Sequence, residues 1–241
     1  MGKPVLLDLF CGAGGAAKGY ADAGFDVIGV DIEHHEDFPY EFYVGEALET
    51  LDSVIAESGL FDGVRVNAVH TSPPCQAYST MTPDKTKHPE LVEPVRERLQ
   101  ALERVGIHWV IENVQQAPLI NPTKLCGSMF PNDRLRVRRH RLFETSFTVH
   151  QLQCNHKAQG QVVGVYGSHW DSREFLRPDG SRRGAKASSL EDARDAMGID
   201  WMVWEDLKES IPPAYTRWIG RHLMGAVEDS EARYESRYVN G

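Results

Sequence analysis

The stretch from Val5 to Asp31 constrains the fold more than any other part of the chain. A short apolar run, Val5–Leu9, breaks into the glycine-rich Phe10-Cys11-Gly12-Ala13-Gly14-Gly15. Residues 15–23 (GAAKGYADA) then read as a helix, Gly24 as its stop, and Asp26–Asp31 as a second apolar run. A buried strand, a tight glycine turn, a helix and another buried strand make the repeating unit of a parallel sheet. The unit recurs. Residues 46–58 place Leu48, Leu51, Val54 and Ile55 at helix spacing, and 90–105 do the same with Leu91, Val95, Leu99 and Leu102. Val66–His70 and His108–Ile111 read as strands between and after them. The alternation predicts an α/β fold, a doubly wound Rossmann-like sheet whose ligands bind beyond the carboxyl ends of its strands.

The pattern weakens after about residue 145. Residues 1–147 are expected to form the first part of the main domain and 148–189 a small insert, β-rich or looped, with one apolar run at Val162–Tyr166. Helices over 190–228 complete the main domain. The first starts at a capping box of Ser188 and Glu191. The last is opened by Ile211-Pro212-Pro213-Ala214-Tyr215 and ends near Gly225, with proline tolerated in its first turn. Residues 229–241 are expected to be a flexible tail.

A chain of 241 residues, 41% hydrophobic and 25% charged, fits one domain with an insert. No apolar run reaches the ~18–20 residues that span a bilayer. An acid, Asp8, interrupts the start of the chain where a signal peptide would stay apolar. The four cysteines, at 11, 75, 126 and 154, form no CxxC pair, so a reducing, cytoplasmic setting is expected. The net charge of −9 argues against a phosphate-binding partner, but its distribution argues for one. Residues 124–188 carry twelve Lys/Arg against five Asp/Glu, with Arg134, Arg136, Arg138, Arg139 and Arg141 close together. A local basic face, rather than the global balance, sets affinity for phosphates.

Three loops converge on the carboxyl edge of the expected sheet. Asp8-Leu9-Phe10-Cys11-Gly12-Ala13-Gly14-Gly15 opens a helix, and its glycines allow close backbone approach to a ligand. Asp31 ends the next strand, where nucleotide folds place a carboxylate on ribose hydroxyls. This spacing fits NAD, FAD or S-adenosylmethionine alike, and a plain tight turn as well. Thr71-Ser72-Pro73-Pro74-Cys75-Gln76-Ala77-Tyr78-Ser79 follows the third strand. Its flanking turn formers suit a nucleophile better than an inert buried thiol. Trp109-Val110-Ile111-Glu112-Asn113-Val114 brings a carboxylate to the same edge, a proton donor or hydrogen-bond partner if burial raises its pKa. The alternative is a capping Glu-Asn pair. Cys154 and His156, taken with His150 or Cys126, match no zinc spacing, so no metal site is expected. Trp201, Trp204 and Trp218 are expected to pack the C-terminal helices.

Together these motifs resemble the DNA cytosine carbon-5 methyltransferase family. DLFCGAGG is similar to its cofactor loop, PPCQAYS to its catalytic loop and ENV to its Glu-Asn-Val motif. Arg138-Arg139-His140-Arg141-Leu142-Phe143 is similar to its Arg-x-Arg motif, and Ile211-Pro212-Pro213-Ala214 to its closing motif. The order also agrees, and the unmatched insert falls where the family carries its target-recognition region. The insert is short, which implies a short or weakly specified recognition site.

The resemblance implies S-adenosylmethionine as cofactor, held by Phe10, Gly12, Gly14, Asp31, Ile32, Glu46, Ala47 and Pro74. Phe10 would stack on adenine and Asp31 would hold the ribose. Glu46 stands where the family usually has Asp, and Glu209 where it often has Asn. Cys75, Glu112, Asn113, Arg139 and Arg141 would form the catalytic set. Gln76, Ser79, Arg136 and Arg138 would contact nucleic acid. Cys75 would attack carbon 6 of a flipped cytosine in double-stranded DNA, its thiol pKa lowered by Arg139 or Arg141. Asn113 would orient the loop. A monomer with no obligate protein partner is expected. The alternatives are the same chemistry on transfer RNA, a non-catalytic nucleic-acid-binding relative, and transfer of a modified one-carbon group.

Overall fold

Leu6 and Leu7 in β1 (Val5–Leu9) point to opposite faces of one sheet, and each face carries its own core. In this computed structural model, which describes residues 2–80, 82–167 and 185–238, the period-two alternation sorts the strands cleanly. Leu6, Val27, Ala68 and Val110 pack under one helical layer, and Leu7, Ile28, Val69 and Ile111 under the other.

The remaining strands are β2 (Asp26–Asp31), β3 (Glu41–Val44), β4 (Leu60–Phe61), β5 (Val64–Arg65), β6 (Ala68–Thr71), β7 (His108–Asn113), β8 (Thr123–Leu125), β9 (Arg141–Thr145), β10 (Val163–Gly164) and β11 (Ala185–Lys186). The helices are α1 (Gly15–Ala23), α2 (Ala47–Ala56), α3 (Val92–Glu103), α4 (Leu190–Met197), α5 (Trp204–Leu207) and α6 (Pro213–Tyr238). Seven strands form one sheet in the order β3-β2-β1-β6-β7-β9-β8. β3, β2, β1, β6 and β7 run parallel, and β9 is antiparallel to both β7 and β8. Strand order reverses between β1 and β6, so a crevice opens outside their carboxyl ends, where sheets of this kind bind ligands. β4 and β5 make a small hairpin.

The first core lies under α1 and α6, through Ala17, Tyr20, Tyr215, Ile219 and Leu223. Gly19 is what lets these helices meet: a Cβ there would lie 2.2 Å from the Pro213 carbonyl. The second lies under α2 and α3, through Leu51, Val54, Val95, Leu99 and Leu102. A buried ion pair closes the far side, where Arg96 grips Glu144 through Nε and Nη2, each at 2.8 Å. A third cluster joins Val137, Val163 and Val165 to α4 and α5 and reaches Ala13 in the glycine loop.

Several sequence expectations change. α4 is capped by Ser189, which accepts from the Asp192 N–H at 3.1 Å, not by Ser188. The register shifts because Asp192 reaches back to the Ser188 N–H and hydroxyl at 2.7 and 3.0 Å. α6 continues past Gly225 to Tyr238, so the described part of the expected tail is helical. Gly225 keeps helical backbone in open space, and the residues after it are mostly good helix formers with no proline. β3, β8 and β9 were not foreseen as strands. Within the expected insert the described structure is mostly loop, with β10 and β11 paired in parallel; residues 168–184 lie outside the described residues. Among the described residues, no helix is long and apolar enough to cross a membrane.

Candidate active site

The glycine loop leaves β1 through left-handed backbone at Phe10, Gly12 and Gly14 (φ 56°, 49° and 87°). Nothing lies within 4 Å of a Cβ built on Gly12, so its exposed face borders open space. Asp31, at the end of β2, accepts the Gly12 N–H at 2.9 Å and thereby sets the loop. Trp201 donates its indole N–H to the Ala13 carbonyl at 2.9 Å, tying the C-terminal segment to the same loop. Phe10 is half-buried against the α2–α3 core, and Ile32 is 66% exposed just beyond β2. Glu46 caps α2, its Oε2 accepting from Leu48 N–H at 2.7 Å and Glu49 N–H at 3.3 Å. Glu46 and Ala47 therefore sit at a helix N-terminus on the same side as Asp31. Thus the loop, both carboxylates and the start of α1 frame one end of the crevice.

The Pro73-Pro74-Cys75 loop frames the other end. The Cys75 carbonyl accepts from Tyr78 and Ser79 N–H at 3.0 and 2.8 Å, so Gln76 and Ala77 lie in a tight turn that starts at Cys75. Asn113, buried at the end of β7, donates Nδ2 to the Pro73 carbonyl at 2.8 Å and accepts Val114 N–H at 2.9 Å. Two adjacent strand ends are thus locked together. Gln76 keeps a buried Oε1 without a hydrogen-bond partner among the described residues.

Glu112 is buried, and among the described residues its Oε1 makes no hydrogen bond although Arg141 Nε lies 2.9 Å away. The short separation makes an ion pair, but the Nε–H is not aimed at the oxygen. Burial raises the Glu112 pKa, opposed by Arg141, the Ser72 hydroxyl and Arg139. The Cys75 pKa moves in the direction opposite to the sequence expectation. Burial raises it; Arg141 pulls it down, and Glu112 and Glu209 push it up again. Two acidic neighbours and a partly desolvated site outweigh one guanidinium.

The arginines divide by role. Arg139 is not aimed outward: it donates to the carbonyls of Ser210, Val165 (2.6 Å) and Lys208 (2.6 Å). Tyr215 donates its hydroxyl to the Arg139 carbonyl at 2.6 Å. Arg139 therefore staples the insert and the α5–α6 connection to the site. Arg136 pairs with Asp192 at 2.6 Å, and Arg138 bonds Gln159 Oε1 and the His156 carbonyl at 3.1 and 2.8 Å.

Sequence reasoning missed what lies beneath the loops. Tyr20 Oη, His70 and Ser72 Oγ form a buried chain with links of 2.8 Å each. Asp8 lies beside it, fully buried, 4.0 Å from His70 Nε2 and without a hydrogen-bond partner among the described residues. The only sequence signal was polar residues inside two apolar strands. Cys126, weighed with Cys154 and His156 in the sequence and set aside for want of a zinc spacing, does meet them, and His140, which the sequence reading did not weigh as a ligand, completes the group.

No family model matches the chain. A type II methyltransferase of Thalassovita gelatinovora, M.AgeI, is 32% identical over 83 residues, covering 31% of this chain and 19% of that protein. A prophage-encoded protein of E. coli described as a DNA modification methyltransferase superposes with TM-score 0.62 at 14% identity, over 93% of this chain and 99% of that one. The chain resembles the DNA cytosine-5 methyltransferase family in motif order and in fold. A triple mutant of Spodoptera frugiperda DNMT2 aligns over 91% of this chain and 99% of its own, with TM-score 0.56 at 13% identity. The Dnmt2 methyltransferase of S. pombe aligns over 94% and 98%, with TM-score 0.54 at 12% identity. The structural likenesses show the fold alone, a mostly parallel seven-stranded sheet that in this chain carries the antiparallel β9 beside β7. The match to M.AgeI spans under a fifth of that protein's length.

Proposed function

We propose that this chain is a DNA cytosine methyltransferase that moves a methyl group from S-adenosylmethionine to carbon 5, with Cys75 as nucleophile. The observation that carries the reading is Glu112: a buried carboxyl with one oxygen unpartnered, paired to Arg141, in the same electrostatic neighbourhood as Cys75. An unsatisfied buried acceptor is costly, and such groups are retained where a ligand completes them.

The crevice fits the cofactor. The open face of Gly12, the α1 N-terminus and the Asp31 and Glu46 carboxylates suit a nucleoside with an amino-acid arm. Bound there, S-adenosylmethionine supplies an electrophilic methyl group. The chain's own residues do the rest. The Cys75 sulfur, as thiolate, bonds to carbon 6 of cytosine, and the displaced electron pair makes carbon 5 nucleophilic. Glu112, whose carboxyl pKa burial raises, donates a proton at ring nitrogen 3 as charge builds there. Asn113 holds the Cys75 loop in place through Pro73. After methylation a base removes the carbon-5 proton, the sulfur leaves carbon 6 as thiolate, and the nitrogen-3 proton returns to Glu112. The ring must be flipped out of a duplex to be reached. Gln76, Ser79 and the exposed Arg138 are the residues proposed to meet the strand; Arg136 and Arg139 are committed within the protein.

The test is transfer of labelled methyl to unmethylated DNA and, in parallel, to transfer RNA, with nucleoside analysis. Labelled 5-methylcytosine in DNA supports the reading. Label in RNA alone moves the substrate, and no label in either contradicts the activity.

A further inference from the structure

Cys126, His140, Cys154 and His156 bring their ligand atoms within 4.8 Å of one another. We propose that these four side chains form a structural zinc site, which the sequence spacing had not suggested.

The backbone explains the meeting. β8 and β9 pair antiparallel with Leu125 opposite Arg141, so the next step of the ladder sets Cys126 across from His140. Directly opposed side chains start about 5 Å apart. The segment after β9 then returns and delivers Cys154 and His156 together. The ligands come from three separate stretches, which is why positions 126, 140, 154 and 156 give no familiar motif.

The distances fit zinc. Tetrahedral bonds of about 2.3 Å to sulfur and about 2.05 Å to nitrogen put a sulfur and a nitrogen ligand about 3.5 Å apart. Cys126 Sγ lies 3.3 Å from His156 Nε2, and Cys154 Sγ lies 3.5 Å from His140 Nε2. Two thiolates and two neutral imidazoles balance the charge of one divalent ion. The donor set is the soft, closed one of structural sites, and no protein ligand is left to vary, so a catalytic role is not implied.

The surroundings are those of a held site. Ser128 donates its hydroxyl to Cys126 Sγ at 3.3 Å and accepts the Asn155 N–H at 3.1 Å, fixing one thiol and the loop that carries the second. Arg138 donates to the His156 carbonyl at 2.8 Å. Such outer contacts orient ligands and tune affinity. The ion would fasten the 150s loop to the start of β9 and so steady the segment from Arg138 to Arg141, whose last residue pairs with Glu112.

The experiment uses the full chain, purified under reducing conditions without a metal-affinity step. Metal analysis is expected to find one zinc per chain. After chelation, added Co2+ is expected to give the visible bands of tetrahedral cobalt and thiolate-to-cobalt charge transfer, and added Zn2+ to restore the melting temperature. Cys154→Ser and His156→Asn should weaken cobalt binding at least tenfold, whereas Cys75→Ala should leave it unchanged. The cobalt titration of wild type decides the matter even if a variant fails to fold. Absence of zinc and of a tetrahedral cobalt spectrum in the reduced protein would overturn the proposal. So would a Cys126–Cys154 disulfide that persists with reductant, or cobalt binding that is lost with Cys75→Ala but kept in Cys154→Ser. None of these readouts depends on methyl transfer, so the activity and the metal site stand or fall separately.

Discussion

Asn113 donates its side-chain amide to the carbonyl of Pro73 at 2.8 Å, a buried bond between residues forty positions apart. It joins the end of β7 to the loop that carries Cys75, and it makes the placement of the thiol depend on the strand beside it. Asn113→Ala leaves a buried carbonyl unpaired, at a cost of about 1–3 kcal/mol. Chemical denaturation should show that loss. Methyl transfer should fall more through kcat than through the KM for cofactor, because the glycine loop does not depend on this bond.

Glu112→Gln keeps the shape of the side chain and removes its acid function. Loss of a positioned proton donor is expected to slow transfer by roughly 10²–10⁴-fold. The pH profile adds a sign. Burial raises the Glu112 pKa from its ordinary 4.5, so the native state keeps a proton that the unfolded chain has released. The carboxyl therefore works against stability as pH rises from 4.5 through its folded value, and acid catalysis declines over the upper end of the same interval. Single-turnover rates against pH should lose that descending limb in Glu112→Gln.

Asp8 and His70 shift in opposite directions and partly hide one another. Burial raises the Asp8 pKa well above 3.8 and lowers that of His70 from 6.5 to about 3. Above 3.8, and up to the folded pKa of Asp8, the native pair holds its proton on Asp8 while the unfolded chain, below 6.5, holds it on the histidine, so there the proton counts nearly cancel. Asp8→Asn removes one side of that balance. The depressed histidine then costs the variant about 1.4 kcal/mol of stability per pH unit as pH falls below 6.5. The raised carboxyl has the opposite sign: above 3.8 and below its folded pKa, Asp8 makes wild type lose stability as pH rises, and the variant lacks that loss. Urea midpoints at pH 4.5, 6.5 and 8 would show both slopes; parallel curves for the two proteins contradict the assignment.

Arg139→Lys should behave as a folding defect first. The guanidinium meets the carbonyls of Ser210, Val165 and Lys208 together, a fork that an ammonium cannot reproduce. A loss of at least about 2 kcal/mol is expected for a buried donor network of this kind. DNA affinity measured in the folded population should change little, since the side chain points into the protein. A selective loss of DNA binding at unchanged stability would contradict this placement.

The parallel half of the fold was legible because each strand is a short apolar run and each helix shows its stripe. GAAKGYADA became α1 with Gly24 as its stop, and Asp26–Asp31 became β2, without adjustment. β3 was not legible, since Glu41 and Val44 are exposed and only its middle touches the core. β8 and β9 were hidden because their residues are mixed and their pairing partners lie far away in sequence. That the glycine loop and the Cys75 loop lie at the carboxyl ends of β1 and β6 could be read from turn chemistry and strand order, while the roles proposed for them rest on the resemblance. The inward turn of Arg139, the orphaned oxygen of Glu112 and the four-ligand cluster could not, because each depends on a contact between distant segments. The tail was misjudged for a simpler reason: a charged composition with good propensity forms a helix as readily as it frays.

The central claim is that Cys75 bonds to carbon 6 of the target cytosine, and DNA carrying 5-fluorocytosine tests it most directly. Fluorine cannot leave carbon 5 as a proton does, so once the methyl group is transferred the sulfur–carbon bond has no route to elimination. Wild-type protein incubated with this DNA and S-adenosylmethionine should give a denaturation-resistant complex whose peptide map places the link on Cys75, and Cys75→Ala should give none. A complex that still forms with Cys75→Ala, or methylation of ordinary cytosine DNA by that variant, would contradict the account.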